Sequence, residues 1–304
     1  MNMFRISMIL LVGIPLCSFG QTDMIALVDL KTLLYSEKEW VKVHVAEFLI
    51  WEDCDVDEVR TEFMKEEQQF GHLPKYRIGI WRVLAQAATD EKERQYWVDK
   101  IFAAYNDVDG EDRLHAIETL AKLKVPVTHE LRENLEGLMR LYTLWNYTLV
   151  SEKAQEEVKR TLIGDLIGNR LDELDMQVAS YILRYMDPLS AQELTEIRSW
   201  MEDKDIKPSL RCNLLSTLLI SSAEDQKVAE MDDVKRELIS FRNNPGALNH
   251  IMMVLAVCGN EHDKVLINEL FQTRRDNTVP GYNSDLHATA AYMVLKVWGK
   301  VVRD

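Results

Sequence analysis

Two histidine–glutamate pairs carry the spacing in this sequence best suited to chemistry. His44 and Glu47 in WVKVHVAEFLIW (40–51) and His115 and Glu118 in DRLHAIETLAKL (112–123) each stand three residues apart. On a helix that spacing puts both side chains on one face, as in half of a zinc site. A zinc site needs at least three protein ligands, each bonded at about 2 Å. Neither helix supplies a third ligand, and the sequence has no HExxH motif. The two pairs are 71 residues apart, two helical units away in the reading below. At interaxial distances of about 8–10 Å that separates the histidines by roughly 20 Å. No metal, cofactor or catalytic residue is assigned. GxSxG and Gly-rich phosphate-loop patterns, which would present a nucleophile or cradle a phosphate, are also missing from the chain.

The elements that carry these residues repeat. From Met24 onward apolar residues recur at helical spacing, with no convincing alternating strand. Helices aligned on one leucine place it at Leu49, Leu84, Leu120, Leu183, Leu218, Leu255 and Leu295, spaced 35, 36, 63, 35, 37 and 40. The gap of 63 holds one more, degenerate unit around residues 130–170. Lys42, Arg77, Arg113 and Arg211 stand seven before the leucine, and Pro74, Pro208 and Pro245 ten before it, where a proline opens a helix. Ser36–Glu39 and Ser190–Glu193 fit the capping box, and Thr128 and Ser151 fit N-caps. A period near 36 with two helices per unit predicts an all-α chain, an α-solenoid of about seven to eight helical hairpins.

Asp112-Arg113-Leu114-His115-Ala116-Ile117-Glu118-Thr119-Leu120 resembles the HEAT-like, armadillo-type unit, with its acidic–basic start, small mid-helix residues and closing leucine. The resemblance runs loosely over nearly all of residues 21–304. It implies a right-handed superhelix whose concave face binds a partner, with the basic residues tying neighbouring helices together.

At 100° per residue, the positions five and two before the leucine lie about 140° and 160° from it on opposite sides. With the leucine in the core, both columns are expected to face solvent. One reads His44, Gly79, His115, Val178, Asn213, His250, Ala290, and the other Glu47, Arg82, Glu118, Tyr181, Ser216, Met253, Met293. Stacked repeats line up such columns into one strip, so His44, Glu47, Arg82, His115, Glu118, Tyr181, Asn213 and His250 are the expected binding surface. Trp and Tyr crowd the first half of the chain, where they serve either the core or a sugar-stacking surface.

Composition narrows the partners. A net charge of −14 repels phosphate backbones and argues against nucleic acid. The stretch MNMFRISMILLVGIPLCSFG reads as an export signal over residues 1–20, with Gln21 starting the mature chain; its apolar run is too short to span a membrane. Cys17 offers a lipoprotein anchor as the alternative, with the bulky Leu16 against it. Cys54, Cys212 and Cys258 are odd in number and widely spaced, which indicates no disulfide framework. The expected protein is an exported, elongated, monomeric, non-catalytic binding or scaffold module of the cell envelope, at most peripheral to the membrane. Its partner is a protein or peptide, or alternatively a glycan. The other class served by such periodicity is an α/α-toroid carbohydrate-active enzyme, which differs in bringing its terminal helices together.

Overall fold

The computed structural model describes residues 21–127, 135–222, 229–278 and 280–301. The expected signal peptide over residues 1–20, with Cys17, and the expected cap at Thr128 lie outside them. Helices α1 (Gln21–Ser36), α2 (Glu39–Trp51), α3 (Val56–Phe70), α4 (Tyr76–Gln86) and α5 (Glu91–Asn106) are followed by α6 (Arg113–Lys122), α7 (Gly137–Tyr147) and α8 (Glu152–Ile167). Then come α9 (Glu173–Leu183), α10 (Ala191–Glu202), α11 (Pro208–Ile220), α12 (Ala229–Ser240), α13 (Pro245–Cys258), α14 (Lys264–Arg275) and α15 (Ser284–Val301). The fold is all-α; among the described residues the only β pairing is one isolated bridge between Leu189 and Ser222.

Local chemistry explains many of the boundaries. Ser190 and Glu193 form the expected capping box, and Ser151 caps α8 through the Ala154 amide. Pro208 and Pro245 open α11 and α13, where a missing N–H costs nothing. Pro74 lies instead in the turn before α4. The box expected at Ser36–Glu39 does not form: Ser36 ends α1, and Lys38 precedes α2 with no side-chain cap. Asp53, Lys124 and Asn169 adopt positive φ just past α2, α6 and α8. The amide after each reaches back to Leu49, Leu120 and Asp165, the closing pattern that glycine usually serves.

The seven aligned leucines are all buried, at 3% exposure or less, as core positions require. They sit on α2, α4, α6, α9, α11, α13 and α15, and α7 fills the long gap. Along this inner series each helix packs on the next, and α15 packs back on α2. The other helices flank it: α3 against α2 and α4, α5 against α4 and α6, α8 against α7 and α9, α14 against α13 and α15. Basic residues tie neighbours as expected. Lys42 bonds Glu62 and Glu66 at 2.8 and 2.7 Å, Arg77 bonds Asp112 at 2.6 Å, and Arg211 bonds Glu237 at 2.6 Å. Arg113 instead lies 5.6 Å over the Tyr105 ring.

The termini of the helical series meet, which corrects the expectation of an elongated molecule with separated ends. Helix α1 packs along α15. Asp29 accepts hydrogen bonds from Arg275 at 2.9 and 3.1 Å and contacts His287 at 2.9 Å. Lys296 pairs with Glu52 at 2.9 Å, and Phe48 stacks on Tyr292 at 4.5 Å. The core therefore forms a band between the inner and flanking helices, and the opposite face of each inner helix turns towards the ring axis.

Candidate functional site

Closure changes the environment of the two columns. Positions about 150° from the core leucine face the axis, and there Glu47, Arg82 and Asn213 are only 5%, 3% and 6% exposed. The expectation that both columns face solvent is corrected: Gly79, Ser216, Ala290 and Met293 are buried as well. At Gly79 a side chain would meet Val43 Cγ2 at 2.9 Å and Trp40 Cζ3 at 3.1 Å, so α4 lies directly on α2 there.

The polar members of the columns form a linked cluster. Arg82 grips Glu47 with two hydrogen bonds, 2.7 and 2.8 Å, and Gln86 adds a third at 2.9 Å. Trp51 donates to Gln86 at 3.1 Å. Arg82 also lies 6.0 Å over Trp40, whose ring meets His115 at 5.5 Å. Glu118 pairs with Lys122 at 2.7 Å and lies 3.9 Å from His115 Nδ1. Lys122 lies 5.9 Å over Tyr181, and Arg184 lies 5.6 Å over the same ring. The Tyr181 and Tyr185 hydroxyls share a 2.6 Å hydrogen bond, and Trp145 packs against both rings. Arg184 donates to Thr217 Oγ1 at 2.9 Å and to Asn213 O and Oδ1 at 2.8 and 3.2 Å.

Six of the eight expected residues therefore join one contact network running from α2 to α11: Glu47, Arg82, His115, Glu118, Tyr181 and Asn213. His250, on α13, feels the charge of Arg184. His44 stands apart at the ring closure, where Nδ1 lies 2.8 Å from Asp285. Among the described residues no trio of His, Cys, Asp or Glu side chains is close enough to hold an ion.

Burial and charge set the protonation of the cluster. Burial alone would raise the pKa of Glu47, but the charge and hydrogen bonds of Arg82 outweigh it and hold the carboxyl below the usual range. The same contest, won by Lys122 and His115, lowers Glu118 to about 2. Burial pushes Tyr181 up to about 12 and Arg184 down to about 10. His250 falls to about 4 through burial and the neighbouring Arg184 charge, which keeps it neutral at pH 7. The most open residues at this cluster are Tyr185, 50% exposed, and Trp51, 45%.

Of the members that were not among the expected residues, four, Trp51, Gln86, Lys122 and Tyr185, stand two after the aligned leucine, at Leu49, Leu84, Leu120 and Leu183. That position is 200° from the leucine and belongs to the same face, so a third column would have found them. Comparisons with family models, with curated proteins and with solved structures find no match.

Proposed function

We propose that this chain is a non-catalytic binding module of the cell envelope, and that it takes part of its ligand into the axial cleft. The observation carrying this reading is the convergence of charged and aromatic side chains from α2, α4, α6 and α9 on one place, with Tyr185 and Trp51 left half-exposed beside it. Buried ion pairs hold the wall rigid, and exposed aromatic rings offer a large contact area at little entropic cost. The expected partner is a protein or peptide chain, or a glycan. The net charge of −14 disfavours nucleic acid. Among the described residues no helix is long and apolar enough to cross a membrane. We read the protein as monomeric, peripheral to the membrane at most, and released by cleavage before Gln21. We further read the ring as a right-handed solenoid of HEAT-like hairpins, curved until its ends meet.

Calorimetric titration with envelope-derived peptides and oligosaccharides tests the binding role. A ligand bound by the wild type should be bound at least tenfold more weakly after Tyr185→Ala. Unchanged affinity in both Tyr185→Ala and Trp51→Ala would place binding elsewhere and overturn the reading.

The packing of α1 on α15 favours a second reading, an α/α-toroid enzyme acting on polysaccharide. Glu47 and Glu118 are held ionised, so neither is set to donate a proton, and His250 is the neutral imidazole near Arg184. New reducing ends or unsaturated products from a polysaccharide, lost in His250→Gln, would establish it in place of the first.

A further inference from the structure

Two of the three cations in the polar cluster are matched. Arg82 is neutralised by Glu47, and Lys122 by Glu118. Arg184 is different. Its Nε and Nη2 bond only neutral acceptors, Thr217 Oγ1 and the oxygens of Asn213. Among the described residues no carboxylate lies within salt-bridge distance of it, and its Nη1 makes no hydrogen bond. Arg184 is half-buried, and partial desolvation without a counter-charge disfavours its charged form, in the direction of its lowered pKa. The Thr217 and Asn213 contacts hold the guanidinium plane in place, and Tyr181 stacks beneath it at 5.6 Å. With His250 neutral, Arg184 leaves this part of the cleft with one surplus positive charge, inside a chain whose net charge is −14.

We infer that Arg184 receives a carboxylate of an acidic oligosaccharide, a uronic-acid unit, beside the exposed ring of Tyr185. This rests on the reading of the axial cleft as the binding site and names its ligand class. A monoanion matches a single unpaired guanidinium, whose Nη1 is left to donate to a carboxylate while Nε and Nη2 stay on Thr217 and Asn213. A doubly charged phosphate would exceed the single unpaired positive charge. A sugar fits the remaining surface better than a peptide. The exposed groups are the rings of Tyr185 and Trp51, which can stack on a pyranose, with the Tyr185 hydroxyl able to hydrogen-bond it. A peptide strand would need a sheet edge, and a helical peptide an apolar groove.

The test measures binding of the full chain to an oligouronate and to a neutral oligosaccharide of the same length. The oligouronate should bind at least tenfold more tightly, with an affinity that falls as salt rises. Arg184→Gln should reduce it to the level of the neutral sugar, Arg184→Lys should keep part of the preference, and Tyr185→Ala should weaken both sugars alike. Circular dichroism and thermal midpoints check that the variants fold, and the salt dependence of the wild type stands if Arg184→Gln does not. Equal binding of the two sugars, or an acidic preference that survives in a folded Arg184→Gln, overturns the inference and leaves the cleft as the site. Binding of an acidic peptide in place of the oligouronate overturns the sugar assignment in the same way. No effect of Tyr185→Ala on any bound ligand overturns the inference, and the reading beneath it falls as well only if Trp51→Ala is equally without effect.

Discussion

The two halves of the inner ring use the same positions for different purposes. On α2, α4 and α6 the columns facing the axis hold Glu47, Arg82, Gln86, Glu118 and Lys122, joined by short ion pairs. On α11, α13 and α15 the equivalent positions carry no Asp, Glu, Lys or Arg: Ser216, Ala290, Met293 and Val297 are buried there, Met253 is half-buried, Val257 is exposed, and Asn213 and His250 are the polar exceptions. The first half spends its axial face on a rigid polar wall. The second packs small and apolar side chains so that its helices approach closely. A repeat thus fixes where a side chain points, while the side chain itself decides whether that place becomes wall or cleft.

Removing one partner of the buried pair should break the first half most severely. Arg82→Ala leaves Glu47 buried and unpaired, and should destabilise by about 3–5 kcal/mol in denaturant melts. A loss within about 0.5 kcal/mol would show the pair to be solvated after all. In the second half, Leu255→Ala removes only apolar contacts, and the same melts should show about 2–5 kcal/mol. Gly79→Ala should cost about 1–3 kcal/mol by forcing α4 off Val43 and Trp40; a stabilising effect, as helix propensity alone predicts, would mean the contact relaxes freely. Ser190→Ala, outside both halves, should lose about 1 kcal/mol with its cap.

Acid should separate the two regions in a different way. His250 has a folded pKa of about 4 against its ordinary 6.5, so the unfolded chain binds its proton first and stability falls as pH drops from about 6.5 towards 4. Glu118, depressed to about 2 from 4.5, contributes stability that is present above its unfolded pKa and is lost as pH falls from about 4.5 towards 2. Denaturant melts across pH should show the two windows in that order. His250→Gln should abolish the upper window alone.

Much of this fold was legible in the chain: the helical period, the seven core leucines, the proline-opened α11 and α13, and the cross-helix role of Lys42, Arg77 and Arg211. Closure was not, because contacts such as Asp29 with Arg275 join residues that no periodicity relates. That omission turned a correct angular argument into a wrong environment for Arg82 and Glu47. The cleft was half legible. Glu118 and Tyr181 lay in the chosen columns, while Lys122 and Tyr185 stood one helical position around the same face. Arg184 gave no signal, since its importance depends on what is missing beside it. The cap at Ser36 failed for a local reason: α1 runs through the serine, leaving only two residues before α2.

The meeting of α1 and α15 bears on how the molecule comes apart. An open repeat array frays from its outermost units, which have a neighbour on one side only. Here every inner helix has two, so there is no end from which melting can start, and loss of any one unit strains the whole circuit. Unfolding should then be cooperative across the chain, with amide exchange lacking a gradient from the termini towards the middle. The reverse holds for assembly. The joint between first and last helices spans nearly the full sequence and carries the largest loop-closure entropy, so the circle should be sealed last. A chain caught before that step would be a bent ribbon with its axial charges still open to water.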